Sequence, residues 1–113
     1  MHELAITESI LRIAVDEAQK HGANKVLSIR IKVGDFSGVV PQLIQEYYNI
    51  VSKATAAEGA ELIIDRVPVT IKCLDCGKEC IIDRAKIKCP GCGSINIKMV
   101  TGREFYVDSM EVE

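Results

Sequence analysis

Tryptophan is absent, and aromatic residues make up only 4% of the 113-residue chain. A platform that stacks nucleic-acid bases needs aromatic faces, so that class is disfavoured. No apolar run approaches the roughly 18 residues needed to cross a bilayer. The opening stretch, Met1 to Ile10, lacks both a basic start and a continuous apolar segment, which argues against a secretory leader. Excess charge is also missing. The chain carries 14 Lys+Arg against 16 Asp+Glu, a net of −2, and no global positive field draws nucleic acid or membrane. There is no Ser-His-Asp order, no His-Glu-x-x-His and no Gly-Lys-Ser/Thr phosphate loop, so an enzyme is not expected.

The bulk of the chain is ordinary globular material, 48% hydrophobic and 27% charged. Apolar residues at helical spacing predict a first helix over Leu4–Lys20, with Leu4, Leu11, Val15 and Ala18 as its stripe and Ile10 and Ala14 beside it. Gly22 suits the left-handed position that ends such a helix. Lys25–Val33 alternates, with Leu27, Ile29, Ile31 and Val33 on one face, and reads as a strand. Gly34-Asp35-Phe36-Ser37-Gly38 is a turn. Pro41 can open a second helix whose stripe runs Leu43, Ile44, Tyr47, Tyr48, Val51, Ala54, broken at Glu58-Gly59. Glu61–Asp65 is a strand, Pro68 marks an interrupted or edge position soon after it, and Glu104–Val112 is a closing strand.

Between Ile71 and Met99 the texture changes. This stretch holds 6 basic and 3 acidic residues, while the remainder is acidic. The expected fold is therefore α+β. A small mixed three-stranded sheet with two helices (residues 1–70 with 100–113) carries an inserted zinc-ribbon lobe (residues 71–99).

Five cysteines is an odd count. Four form two Cys-x-x-Cys-Gly knuckles, Cys73/Cys76 and Cys89/Cys92, with twelve residues between them. Two intervening residues let both thiolates of a pair face one cavity, and four thiolates suit Zn²⁺ in a closed structural site. Iron in a rubredoxin-like cage is the rival, and zinc is favoured because no other redox feature accompanies the cysteines. Disulfides fit poorly: so small a lobe lacks a core, and metal binding at roughly 10–16 kcal/mol can supply its stability. Cys80 reads as a small apolar residue beside Ile81 and Ile82. At the other end, the amine of Met1, the backbone nitrogen and imidazole of His2, and the backbone nitrogen of Glu3 can form a square-planar nitrogen set. That set suits Ni²⁺ or Cu²⁺ better than Zn²⁺. His21 reads as a solvated partner of a helix C-terminus.

Several of these features occur together: Met1-His2-Glu3-Leu4, Ser9-Ile10-Leu11, His21-Gly22-Ala23, Gly34-Asp35-Phe36-Ser37-Gly38-Val39, Pro41, Ala57-Glu58-Gly59-Ala60-Glu61-Leu62 and the two knuckles. In that order, over the whole chain, they resemble the HypA/HybF family of hydrogenase maturation metallochaperones. The resemblance implies Ni²⁺ held at Met1, His2 and Glu3, and Zn²⁺ held by Cys73, Cys76, Cys89 and Cys92. It implies a cytoplasmic carrier, monomer or homodimer, that delivers nickel to the large-subunit precursor of [NiFe] hydrogenase with a nickel-linked GTPase partner. Some members also serve urease. Members with His beside the second cysteine pair have been credited with zinc-site switching; here Lys88 and Ser94 stand in those places. The competing reading is a zinc ribbon that binds nucleic acid or a transcription partner. The basic lobe permits it, and the acidic remainder weighs against it.

Overall fold

The computed structural model describes residues 3–113. Among them, helices and strands run in the order α1 (Glu3–Lys20), β1 (Val26–Gly34), α2 (Pro41–Val51), β2 (Glu61–Val67), β3 (Val69–Cys73), β4 (Glu79–Ile82), β5 (Ile97–Thr101) and β6 (Phe105–Val112). The strands form two three-stranded sheets, β2-β1-β6 and β4-β3-β5. The first is mixed. Gly34 N–H donates to Glu104 O and Glu113 N–H to Lys25 O, so β6 runs antiparallel to β1. Asp35 N–H donates to Val67 O and Lys32 reaches Asp65, so β2 runs alongside β1 in the same direction. The second is antiparallel: β3 pairs with β4 on one side and β5 on the other. The expected α+β class, with two helices and a mixed three-stranded sheet, is observed.

Two compact units result. One comprises residues 1–32, 39–65 and 106–113; the other comprises Val33–Gly38 and Arg66–Phe105. The second unit thus takes in more chain than the cysteine-bearing stretch 71–99.

In the first unit α1 packs against α2. The buried face of α1 is Thr7, Ile10, Ala14 and Ala18. The Leu4–Leu11–Val15 stripe read from the sequence is displaced from the centre, and Leu4 is 43% exposed. Two alanines allow close helix approach, and Thr7 is tolerated inside because its Oγ1 donates to Glu3 O at 2.7 Å. The helix closes as foreseen at Gly22. Ala23 N–H donates to Ala18 O and Gly22 N–H to Gln19 O, the paired bonds of a Schellman end.

On β1, Ile29, Ile31 and Val33 are buried as expected, but Leu27 is exposed and Val26 is buried in its place. Val26 N–H donates to Ala56 O at 2.9 Å. The second helix stops at Val51, short of the expected break at Glu58-Gly59. Thr55 shapes the turn that follows: its Oγ1 donates to the Ser52 carbonyl, and Ala57 N–H donates to that same Oγ1. Tyr48, buried on α2, secures this turn through its hydroxyl, which donates to Ala57 O at 3.1 Å.

The second unit has a small core of Val69, Ile71 and Ile82, flanked by Phe36, Ile97 and Met99. Gly34 is required here by a close approach: a Cβ at that position would collide with the backbone of Gly102 and Glu104.

Candidate metal centre

The four-sulfur site is built by repeating one turn twice. Cys73 ends β3, and its N–H donates to Lys78 O while Gly77 N–H donates back to Cys73 O. Cys89 repeats the pattern: its N–H donates to Ser94 O, and Gly93 N–H donates to Cys89 O. Gly77 and Gly93 take positive φ, at 77° and 75°, a conformation that glycine adopts without steric cost.

The Sγ atoms of Cys73, Cys76, Cys89 and Cys92 all lie within 4.8 Å of one another. Cys73 and Cys92 sulfurs are 3.5 Å apart, and those of Cys76 and Cys89 3.7 Å. A tetrahedral cage with Zn–S of about 2.3 Å has an edge of about 3.8 Å. The spacing fits a four-coordinate ion. All five cysteines are free, and no disulfide joins any pair. Cys80 stays outside the cluster, on β4 opposite Ile71 and half-buried.

Cys73 and Cys89 are buried, while Cys76 and Cys92 are exposed; their ionisation is set by backbone N–H groups and neighbouring sulfurs, not by this difference in exposure. Cys89 is drawn down to about 6, first by the N–H of Cys92 and then by that of Gly91. Cys73 moves down too, chiefly through the Cys76 N–H. Cys92 goes the other way, up to about 12: the Ser94 N–H pulls it down, but the adjacent Cys73 sulfur and burial outweigh that pull. Cys76 is raised similarly, against the Lys78 N–H, by Cys73 and burial. Like charges this close cannot all form unaided, and a divalent cation reverses the balance.

One supporting group was not legible in the sequence. Asp75, inside the first knuckle, accepts hydrogen bonds from Ser94 Oγ and from Asn96 Nδ2 of the second. These hold its carboxyl below the usual range, Ser94 foremost. Leu74 N–H donates to Asn96 O at 2.9 Å, a main-chain tie between the same two segments. The two knuckles are thereby joined independently of any ion.

Of the nickel residues read from the sequence, Met1 and His2 lie outside the described residues. Glu3 is the first residue of α1. His21 lies at the far end of that helix, with Nε2 3.7 Å from Glu17 Oε2. No helix is long and apolar enough to cross a membrane, among the described residues.

Comparison with known proteins agrees with this geometry. A family profile described as "Hydrogenase/urease nickel incorporation, metallochaperone, hypA" matches residues 1–112. The hydrogenase maturation factor HypA of Aquifex aeolicus (strain VF5) is 38% identical over 113 residues, spanning 100% of this chain and 98% of that protein. Its counterpart in Geobacter metallireducens is 39% identical over 113 residues, spanning 100% of both. Two solved structures share the fold. The solution structure of the Ni metallochaperone HypA from Helicobacter pylori has a TM-score of 0.65 at 22% identity, covering 99% of this chain and 97% of that one. A second HypA solution structure has a TM-score of 0.72 at 23% identity, covering 100% and 97%. The chain belongs to the HypA family of nickel metallochaperones for hydrogenase maturation, which are not enzymes.

Proposed function

We propose that this chain binds Ni(II) at Met1, His2 and Glu3 and delivers it to the large-subunit precursor of [NiFe] hydrogenase, with a GTPase partner, in the reducing cytoplasm. The nickel ion is cargo. The imidazole of His2 and main-chain nitrogens of the opening tripeptide form its nitrogen set. The observation that carries the reading is the Met1-His2-Glu3 opening in a chain of this family. The start of α1 supports it. The first four N–H groups of a helix have no intrahelical acceptor, and Glu3 is the first residue of α1. A metal that takes the Glu3 nitrogen therefore breaks no rung of the helix. Such nitrogens must be deprotonated, so nickel affinity falls in acid.

Labour divides along the chain. The opening residues Met1, His2 and Glu3 carry the nickel, and the stretch 71–99 holds Zn²⁺ at Cys73, Cys76, Cys89 and Cys92. With all four positions filled by thiolate, that ion organises the fold and takes no part in transfer. A carrier site at a chain end can give up one ligand at a time, which a closed sulfur cage resists.

The test is separable metals. His2→Ala, and separately an extension placed before Met1, are titrated with Ni(II), and zinc is counted per chain. Nickel binding collapses in both variants while zinc stays at one. Full nickel affinity in both variants defeats the proposal.

A further inference from the structure

β4 is an edge strand of its sheet. Beyond it the chain turns through residues 83–88 to the second knuckle. A groove of about 170 Å³ opens there, lined by Ile81, Ile82, Asp83, Lys86, Lys88 and Pro90. Its aliphatic wall is unusually open to water: Ile81 is 66% exposed, and neighbouring Ile87 55%. The volume is below the roughly 300–1,000 Å³ of small-molecule sites and suits one or two side chains.

The charges around it are uneven. Lys86 and Lys88 make no ion pair among the described residues. Arg84 is engaged elsewhere, stacked over the Phe36 ring at 5.6 Å from its centroid. The acid in the lining, Asp83, is exposed; its Oδ1 accepts from Ala85 N–H at 2.9 Å and shapes the turn, and the lining keeps two cations against this one acid. An aliphatic floor between two unpartnered lysines faces outward, beside a strand whose outer main-chain groups are unpaired within its sheet.

We infer that this groove docks an extended acidic segment of a partner protein, anchored by an aliphatic side chain. Lysines at a sheet edge commonly serve only to prevent aggregation. Here they flank an apolar recess, and that combination matches recognition by strand addition, where main-chain bonds give affinity and a pocket gives specificity. A nucleic acid would find the cations but no aromatic surface, since no lining residue is aromatic. The inference does not depend on where nickel binds, and its test contains no nickel.

The probe is a fluorescein-labelled peptide, acetyl-Asp-Glu-Leu-Asp-Glu-Leu-Asp-Glu, titrated with the zinc-loaded full chain and followed by anisotropy. Saturable binding is expected. The double variant Lys86→Glu/Lys88→Glu weakens it roughly tenfold, the scale of two lost rim charge pairs and two new repulsions. Ile81→Ser weakens it severalfold, as does replacing the peptide's leucines with serines. Zinc per chain and circular dichroism are recorded for every variant, and Lys86→Ala/Lys88→Ala replaces the double reversal if the latter loses zinc. The inference is overturned by any of three results: no saturable binding, equal binding by wild type and variants, or tighter binding of a charge-matched single-stranded oligonucleotide.

Discussion

Gly34→Ala offers a demanding check on the fold that carries the metal centre. A Cβ at Gly34 falls well inside 3.0 Å of three backbone atoms, Gly102 O, Gly102 C and Glu104 N. No side chain can swing aside to admit it, so two chain segments must separate. Two hydrogen bonds hold them together, Gly34 N–H to Glu104 O and Phe36 N–H to Gly102 O, each 2.7 Å. Overpacking a tight site costs about 1–3 kcal/mol. Stretching two such bonds adds about 0.5–1.5 kcal/mol each. The stiffer unfolded chain returns about 0.4–1 kcal/mol. The net expectation is a loss of about 1–6 kcal/mol. With a urea slope near 2 kcal/mol/M, the midpoint falls by roughly 0.5–3 M. Gly38→Ala is the internal control, because it lies in the same five-residue turn. Its Cβ meets nothing within 4 Å, but its φ is +80°, and that backbone conformation costs an L-residue roughly 1–2 kcal/mol. Urea denaturation of both variants at saturating zinc separates the two mechanisms. If Gly34→Ala is no more damaging than Gly38→Ala, the close-approach argument is wrong.

The metal cage and the partly exposed ion pairs on Asp65 can be tested too. Cys73→Ala removes a buried ligand and abolishes zinc binding at one per chain, whereas Cys80→Ser, outside the cluster, retains it; metal analysis after dialysis distinguishes them. Arg30 and Lys32 both donate to Asp65, at 2.8 and 2.9 Å, and hold its carboxyl below the ordinary range, Lys32 foremost. The contribution of a depressed carboxyl is fully present above its unfolded value near 3.9 and is lost as pH falls through the folded value. Asp65→Asn therefore shows a shallower loss of stability than wild type below about pH 4 in acid denaturation. An unchanged slope would mean that these contacts carry no net weight.

Much of the fold could be read from the chain, and the reasons differ by feature. The knuckles were legible because tetrahedral sulfur coordination demands a fixed spacing and a Gly after the second Cys. Gly22 was legible because few residues tolerate its conformation. The buried face of α1 was read in part: Ala18, with Ile10 and Ala14 beside the stripe, is buried, while Leu4 is not. Thr7 was missed because its polarity hides it, and a local hydrogen bond makes it acceptable inside. The early end of α2 left a weak trace in Thr55, whose hydroxyl bonds backbone groups of the following turn. Asp75 left none: one carboxylate among 16 acidic residues is singled out only when folding brings Ser94 and Asn96 to it.

Cys73 stands opposite Ile97 across the β3–β5 ladder. The chain therefore departs and comes back within one interstrand spacing, about 5 Å. Between these adjacent residues the excursion from Leu74 to Asn96 is not a free loop: β4 turns back along the other side of β3 and sets Ile82 beside Val69 and Ile71. Residues added in the turn through 83–88 would leave both ladders in register. A graft of the sulfur cage onto another scaffold must therefore bring β3, β4 and β5 with it.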